Sequence, residues 1–174
     1  MNFIGLGGCG GGLAEKIVVK RRWVHRVSDS VPLDQAALIE PLSVGFHAVQ
    51  RSGASAGDIA LITGAGPIGL LTAAVCRAEG ISTIISEPSS LRRRKAVDAD
   101  VADHVLDPTT DDVVGRVREL TGGRGADVGF ECTSVQPALD TLFDALKPTG
   151  VLVVVSIWGH PGSVEMQKLV LKEI

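Results

Sequence analysis

The sequence predicts an α/β fold, a doubly wound parallel sheet with helices on both faces. Three observations predict it. Short apolar runs recur at residues 59–63, 83–86, 104–106, 128–131 and 151–156. Stretches of helical period lie between them, at 68–79, 90–97, 111–120 and 136–146. A glycine-rich turn joins the first run to the first of these helices. Short buried strands alternating with helices require parallel strands joined by crossovers, and so a sheet covered on both sides. Five strands are expected where folds of this type usually have six. A sixth is expected to be starting at Leu171–Ile174.

The elements before residue 57 are less regular. Residues 1–30 are glycine-rich and then strand-like, with short β signals at Ile17-Val18-Val19 and at Trp23, Val24 and Val27. Val31-Pro32-Leu33-Asp34 reads as a helix entry with Asp34 as its cap. Two short helical stretches, 35–40 and 42–51, are expected on either side of Pro41. The boundary is placed so that residues 1–33 are the tail of another domain and residues 34–174 the doubly wound domain.

Composition excludes several classes. The chain has 174 residues, 17 Lys+Arg against 20 Asp+Glu, a net charge of −3 and 45% apolar residues. Its mean hydropathy is +0.27, enough apolar surface for a core, which argues against disorder. A near-neutral charge argues against a nucleic-acid surface. Cys9, Cys76 and Cys132 are far apart and form no C-x-x-C, which excludes a disulfide scaffold and fits a reducing compartment. The 18 uncharged residues from Ile59 to Cys76 fail as a membrane span because Gly64, Gly66, Pro67 and Gly69 interrupt them. No secretory signal is recognised, so a cytoplasmic location is expected.

Two of the segments built from the 21 glycines match G-x-G-x-x-G. The first, Gly5-Leu6-Gly7-Gly8-Cys9-Gly10, leads into strand-like residues and offers no helix N-terminus, so it reads as a loop. The second, Gly64-Ala65-Gly66-Pro67-Ile68-Gly69, closes a strand and opens a helix, the context a dinucleotide site needs. Gly64 permits the tight turn, Gly66 lets a pyrophosphate approach the backbone, and Gly69 lets helix and strand pack closely. The N–H of Ile68 faces the phosphates at the positive end of the helix, and Pro67 suits a first helical position.

Glu87 ends the second strand, 18 residues beyond Gly69, where an acid accepts hydrogen bonds from the ribose hydroxyls. A carboxylate there repels a 2′-phosphate, which favours NAD over NADP. Arg92, Arg93 and Arg94 work the other way, but adjacent helical residues diverge, so at most one or two reach a ligand. Thr133 and Ser134, after the fourth strand, are expected near the cofactor's ribose. Val155, Ser156 and Ile157, at the end of the fifth, are expected to approach the nicotinamide. Trp158 is read either as bordering that cleft or as packing on the sheet. Gly122-Gly123-Arg124-Gly125 reads as a turn. His25, His47, His104 and His160 have no metal-ligand spacing, H-E-x-x-H and G-x-S-x-G are missing, and hydrolase chemistry has no support.

The run Ala37-Leu38-Ile39-Glu40-Pro41-Leu42-Ser43-Val44-Gly45-Phe46-His47-Ala48, followed by Gly64-Ala65-Gly66-Pro67-Ile68-Gly69-Leu70, resembles the medium-chain dehydrogenase/reductase superfamily. Within it the similarity is to zinc-dependent polyol dehydrogenases of the sorbitol and 2,3-butanediol group. Ala102-Asp103-His104-Val105-Leu106-Asp107 and Gly125-Ala126-Asp127-Val128 fit the same pattern. The resemblance implies a subunit of roughly twice this length, with a GroES-like catalytic domain and a Rossmann domain that binds NAD. It makes residues 1–33 a remnant of the former, with Gly12-Leu13-Ala14-Glu15 as the recognisable piece, and 34–174 the latter without its last strand. Glu40 matches a position beside the catalytic zinc, and Arg92 a basic position that contacts the adenosine. Lys16 stands where the family usually has an aromatic, and Val101 where it has Gly.

The implied activity is hydride transfer between a secondary alcohol or diol and NAD, with zinc as Lewis acid in the full-length enzyme. The implied partners are the small-molecule substrate and further copies in a dimer or tetramer. The early Cys and His–Glu zinc ligands of the family do not occur here. The chain alone is therefore expected to bind NAD(H) without turnover. A zinc-independent medium-chain reductase and a non-catalytic NAD-binding module are the alternative readings.

Overall fold

The computed structural model describes residues 4–5 and 10–174, which form two compact units, 1–37 and 38–174. The first glycine motif lies largely outside the described residues.

In the first unit the expected strands do not form. Arg21–Trp23 is a single 3-10 turn, the only regular structure before the short helix α1 (Leu33–Ala36) among the described residues. Val18 is fully exposed and Val24 largely so. A short apolar run becomes a strand only when a neighbour completes its hydrogen bonds, and none does so among the described residues. Asp34 is not the cap of α1: Pro32 occupies that position, and the Asp34 carboxylate accepts from the next residue's N–H, that of Gln35.

The second unit begins with α2 (Ile39–Ser52), one continuous helix where two were expected. Pro41 is its third residue. Backbone N–H groups in a first helical turn have no intrahelical acceptor, so proline removes nothing there. Then come β1 (Ile59–Thr63), α3 (Pro67–Ala78), β2 (Ser82–Ser86), α4 (Ser90–Asp98), β3 (His104–Leu106), α5 (Val113–Leu120), β4 (Ala126–Glu131), α6 (Gln136–Ala145), β5 (Leu146–Val154) and α7 (Met166–Lys172). All strand pairs are parallel and the order is β3-β2-β1-β4-β5. The doubly wound expectation is borne out. Connection direction reverses between β1 and β4, which makes their C-terminal ends the switch point where such sheets bind ligands.

Alternation along the strands divides the core. Ala60 and Ile62 of β1 face α2 and α3 with Ile85 and Phe130, while Leu61 faces α5 and α6 with Ile84, Val117 and Leu142. Gly45 lets α2 and α3 approach: a Cβ there would lie 3.0 Å from the Thr72 Cα.

The last two elements depart from expectation. β5 starts earlier than its apolar run, because Leu146 already pairs with Ala126 of β4; a register irregularity follows before Val151 pairs with Val128, with a positive φ of 61° at Thr149. The chain end is the helix α7, not a sixth strand. Lys168 and Lys172, one turn apart, share a face that docks on the end of α6. Lys168 pairs with Asp144 at 2.7 Å, and Lys172 donates to the carbonyls of Phe143, Asp144 and Leu146 at 2.6, 3.1 and 2.7 Å. These cations meet the negative end of the α6 dipole, which favours helix over strand here.

Candidate functional site

A cleft of about 510 Å³ opens at the C-terminal ends of β1, β2 and β4, a volume suited to a small-molecule ligand. Its base is the second glycine motif, whose three glycines have different surroundings. Gly64 has a φ of +92°, and a Cβ there would sit 2.8 Å from the Thr133 Cγ2. A Cβ at Gly69 would lie 2.0 Å from the Gly64 carbonyl oxygen, an impossible contact. A Cβ at Gly66 would meet nothing within 4 Å. The protein does not fill the space in front of Gly66, which borders the cleft. Pro67 and Ile68 begin α3, whose first-turn N–H groups have no partner in the helix.

Glu87 forms one wall and is 2% exposed. Its Oε2 accepts the N–H of Ala65 at 2.8 Å and its Oε1 that of Ser89 at 2.8 Å. The carboxylate thus ties the glycine turn to the start of α4. Each oxygen keeps acceptor capacity for a ligand hydroxyl.

The three arginines separate as their helical spacing requires. Arg92 borders the cleft, with its Nη1 3.8 Å from Glu87. Arg93 turns away, donating to the carbonyls of Glu87 and Pro88 and pairing with Asp107 at 2.7 Å. Bonds from the Thr109 hydroxyl and N–H, with Arg93 adding to them, hold the Asp107 carboxyl below the usual range. Arg94 lines a different, shallow surface beside Val97. Pro88, Pro108 and Thr109 complete the far wall of the cleft.

Thr133 lines the opposite wall, beside Cys132. Ser134 does not; it adopts a φ of 56° and serves the turn, its hydroxyl donating to the Thr133 carbonyl. Burial pushes the Cys132 thiol up to about 12, with the Glu131 charge adding to it, and the Cys76 thiol also to about 12. Both are neutral thiols rather than nucleophiles.

Sequence reasoning left Glu131 as a strand residue, and the structure makes it a hub. It ends β4 with no solvent exposure. Its Oε1 accepts from the N–H groups of Thr133 (2.6 Å) and Ser134 (2.8 Å) and from the Thr133 hydroxyl (2.5 Å). Its Oε2 accepts from the Ser156 hydroxyl and, at 3.0 Å, from the Trp158 indole N–H. Burial works to raise its pKa, but the bonds from Ser156, Thr133 and Trp158 outweigh that and hold the carboxyl below the usual range. A signal was available: a charged residue closes a buried strand, with Thr133 and Ser134 just beyond it.

The remaining candidates stand elsewhere. Ser156 is held against Glu131, and Val155 borders a separate groove beside Ser43 and His47 of α2. Ile157 is 94% exposed. Glu40 is exposed in the first turn of α2, and no group of three or more His, Cys, Asp or Glu side chains able to hold a metal occurs among the described residues. Zinc sites take three or four protein ligands, so the described residues do not by themselves fit zinc.

The sheet order and the glycine turn at its switch point define the Rossmann class of α/β domains. Residues 67–174 match the family described as zinc-binding dehydrogenase, and the chain belongs to it. It is 64% identical to the (R,R)-butanediol dehydrogenase of Neisseria gonorrhoeae, over all of this chain and 49% of that protein. It also matches the crystal structure of 2R,3R-butanediol dehydrogenase from Bacillus subtilis, with a TM-score of 0.89 and 36% identity over 98% of this chain and 49% of that one. A structure from Sinorhizobium meliloti, described as a zinc-binding dehydrogenase bound to NADP, matches with a TM-score of 0.86 and 29% identity over 95% and 49%. The chain thus spans about half the length of the curated relatives it matches. The family resemblance drawn from the sequence is borne out.

Proposed function

We propose that this chain is the cofactor-binding part of a zinc-dependent alcohol or polyol dehydrogenase, one that moves hydride between a secondary alcohol or diol and NAD. The observation that carries this reading is the open space in front of Gly66, beside the free N–H groups that begin α3. Those groups and the helix dipole suit a pyrophosphate. Glu87 and Arg92 stand where an adenosine ribose would lie, and Thr133 faces them across the cleft. The butanediol dehydrogenase relatives support a small diol as the substrate class.

When bound, the nicotinamide supplies the hydride acceptor. The chain's part is to hold the pyrophosphate on α3, orient the adenosine ribose against Glu87, and carry the nicotinamide half across the switch point to β4 and β5. Val155, Ser156 and Ile157 are assigned to that half. Glu40 is assigned to the surroundings of a zinc whose ligands come from outside the described residues. Residues 1–33 are read as the end of a catalytic domain.

Glu87 supports NAD over NADP. The neighbouring Arg92 is the one of the three arginines that borders the cleft, and its guanidinium is already drawn toward Glu87. Calorimetric titration of the chain with NADH and NADPH tests the reading. NADH is expected to bind more tightly, and no alcohol-dependent reduction of NAD is expected even with zinc added. Tighter NADPH binding overturns the Glu87 argument. Zinc-dependent turnover by this chain overturns the division of labour.

A further inference from the structure

Glu131 is a buried carboxylate that the cofactor reading leaves without a task. A carboxylate taken out of water is expensive unless its lone pairs are filled. Five donors fill them here, all neutral, and they come from two places. Thr133 and Ser134 belong to the turn after β4; Ser156 and Trp158 belong to the segment after β5. The Glu131 carbonyl also accepts the N–H groups of Val155 and Ser156, at 2.9 and 3.0 Å. One residue thus fixes both turns that leave the C-terminal ends of β4 and β5.

The segment after β5 has a second anchor. The Gln136 side chain donates to the Ser163 carbonyl and accepts the Ser163 N–H, each at 2.8 Å. Between the anchors, the Trp158 ring meets His160 edge-on at 5.8 Å and packs over Gly162. Residues 156–163, which carry no regular secondary structure, are therefore tied as a short wall between the end of β4 and the start of α6.

A dinucleotide that crosses the switch point places its adenosine half over β1 and β2 and its nicotinamide half over β4 and β5. We infer that Glu131 is a positioning residue for the nicotinamide half, setting the 156–163 wall through Ser156 and Trp158 without touching the adenosine half. This rests on the cofactor reading above. The adenosine walls, Glu87 and Arg92, share no hydrogen bond with the Glu131 cluster. Thr133 is the one residue shared, since it lines the cleft with them and is held by the same carboxylate, so Trp158→Phe, which acts on the 156–163 side alone, is read beside the change at Glu131.

The test uses the full chain, NADH, and ADP-ribose, which lacks the nicotinamide. Glu131→Gln keeps the volume but puts an amide NH2 where one carboxylate oxygen accepted, so it faces donors on one side. ADP-ribose is expected to bind Glu131→Gln within about twofold of the original chain, while NADH weakens about tenfold, the loss of one charge-assisted hydrogen-bond set. Equal weakening of both ligands makes Glu131 merely structural and overturns the inference, as does unchanged binding of both. If the original chain binds neither ligand, the cofactor reading fails and this inference with it. Trp158→Phe is measured beside it, and stands alone should Glu131→Gln lose its fold by circular dichroism. It keeps the ring and removes one donor. A loss of about threefold for NADH alone supports the inference, and no selective loss overturns it.

Discussion

Substituting Gly66 with alanine separates folding from binding. Its φ of −73° and ψ of −179° are extended backbone that any residue adopts, and the new Cβ meets no atom within 4 Å. The folded state therefore loses nothing. The unfolded chain loses the extra freedom of glycine, so Gly66→Ala gains about 0.4–1 kcal/mol of stability. The bound state differs. A phosphate oxygen accepting from the first-turn N–H groups of α3 lies about 2.9 Å from each nitrogen, and the alanine methyl projects into the same open space. Losing two charge-assisted hydrogen bonds, at about 1.5 kcal/mol each, weakens NADH binding about a hundredfold. Thermal unfolding and calorimetric titration on one preparation read both effects. A Gly66→Ala chain that binds NADH undiminished refutes the pyrophosphate placement, and one that melts far below the original refutes the packing argument. Gly69→Ala is the contrasting control, because its Cβ would lie 2.0 Å from the Gly64 oxygen and the turn itself must break.

Two other outcomes follow from the ion and hydrogen-bond networks. Asp127 accepts from the Ile59 N–H and pairs with Lys147; burial opposes ionisation, but these partners outweigh it and lower the pKa, as happens at Glu131. A carboxyl with a depressed folded pKa contributes stability that is complete above its unfolded value, about 4, and is lost as pH falls through the folded value. The urea midpoint should therefore hold from pH 7 to about 5 and fall below about 4, and Asp127→Asn should flatten the fall; an unchanged acid slope in that variant contradicts the assignment. Lys172→Met leaves three carbonyls at the end of α6 without their cation, at a cost of about 1–2 kcal/mol. Hydrogen exchange in α7 should rise with it, and unchanged exchange would argue that the apolar contacts of α7 suffice.

The central strands were legible because burial on both faces leaves an unbroken apolar signature, as at Ile59–Thr63, whose bounds coincide with the apolar run. The glycine motif was legible because strand, turn and helix must follow one another in sequence. Elements that depend on distant partners were not legible. Ile17–Val19 has strand composition without a neighbouring strand among the described residues. Leu171–Ile174 has apolar residues, but Lys172 within it and Lys168 just before it find the end of α6, far away in sequence. Pro41 shows how a position within an element changes the meaning of a residue: it reads as a breaker by composition and costs nothing as the third residue of α2. Glu131 was hidden for a related reason. Its partners Ser156 and Trp158 lie 25 and 27 residues downstream, and only the return of β5 alongside β4 brings them to it.

The irregular start of β5 has a bearing on how the sheet meets other chains. An edge strand offers its outward N–H and C=O groups to whatever strand arrives, and lysine, proline and local kinks discourage such growth. β5 carries Lys147, Pro148 and the Thr149 kink in its first half, and the uninterrupted stretch Val151–Val154 in its second. The edge is therefore polarised: its first half resists templating, and its second half, where Val151 is 39% and Val154 53% exposed, remains receptive. A strand added to this sheet must take its register from Val151 onward, so the protein limits where it can be extended without giving up extension altogether.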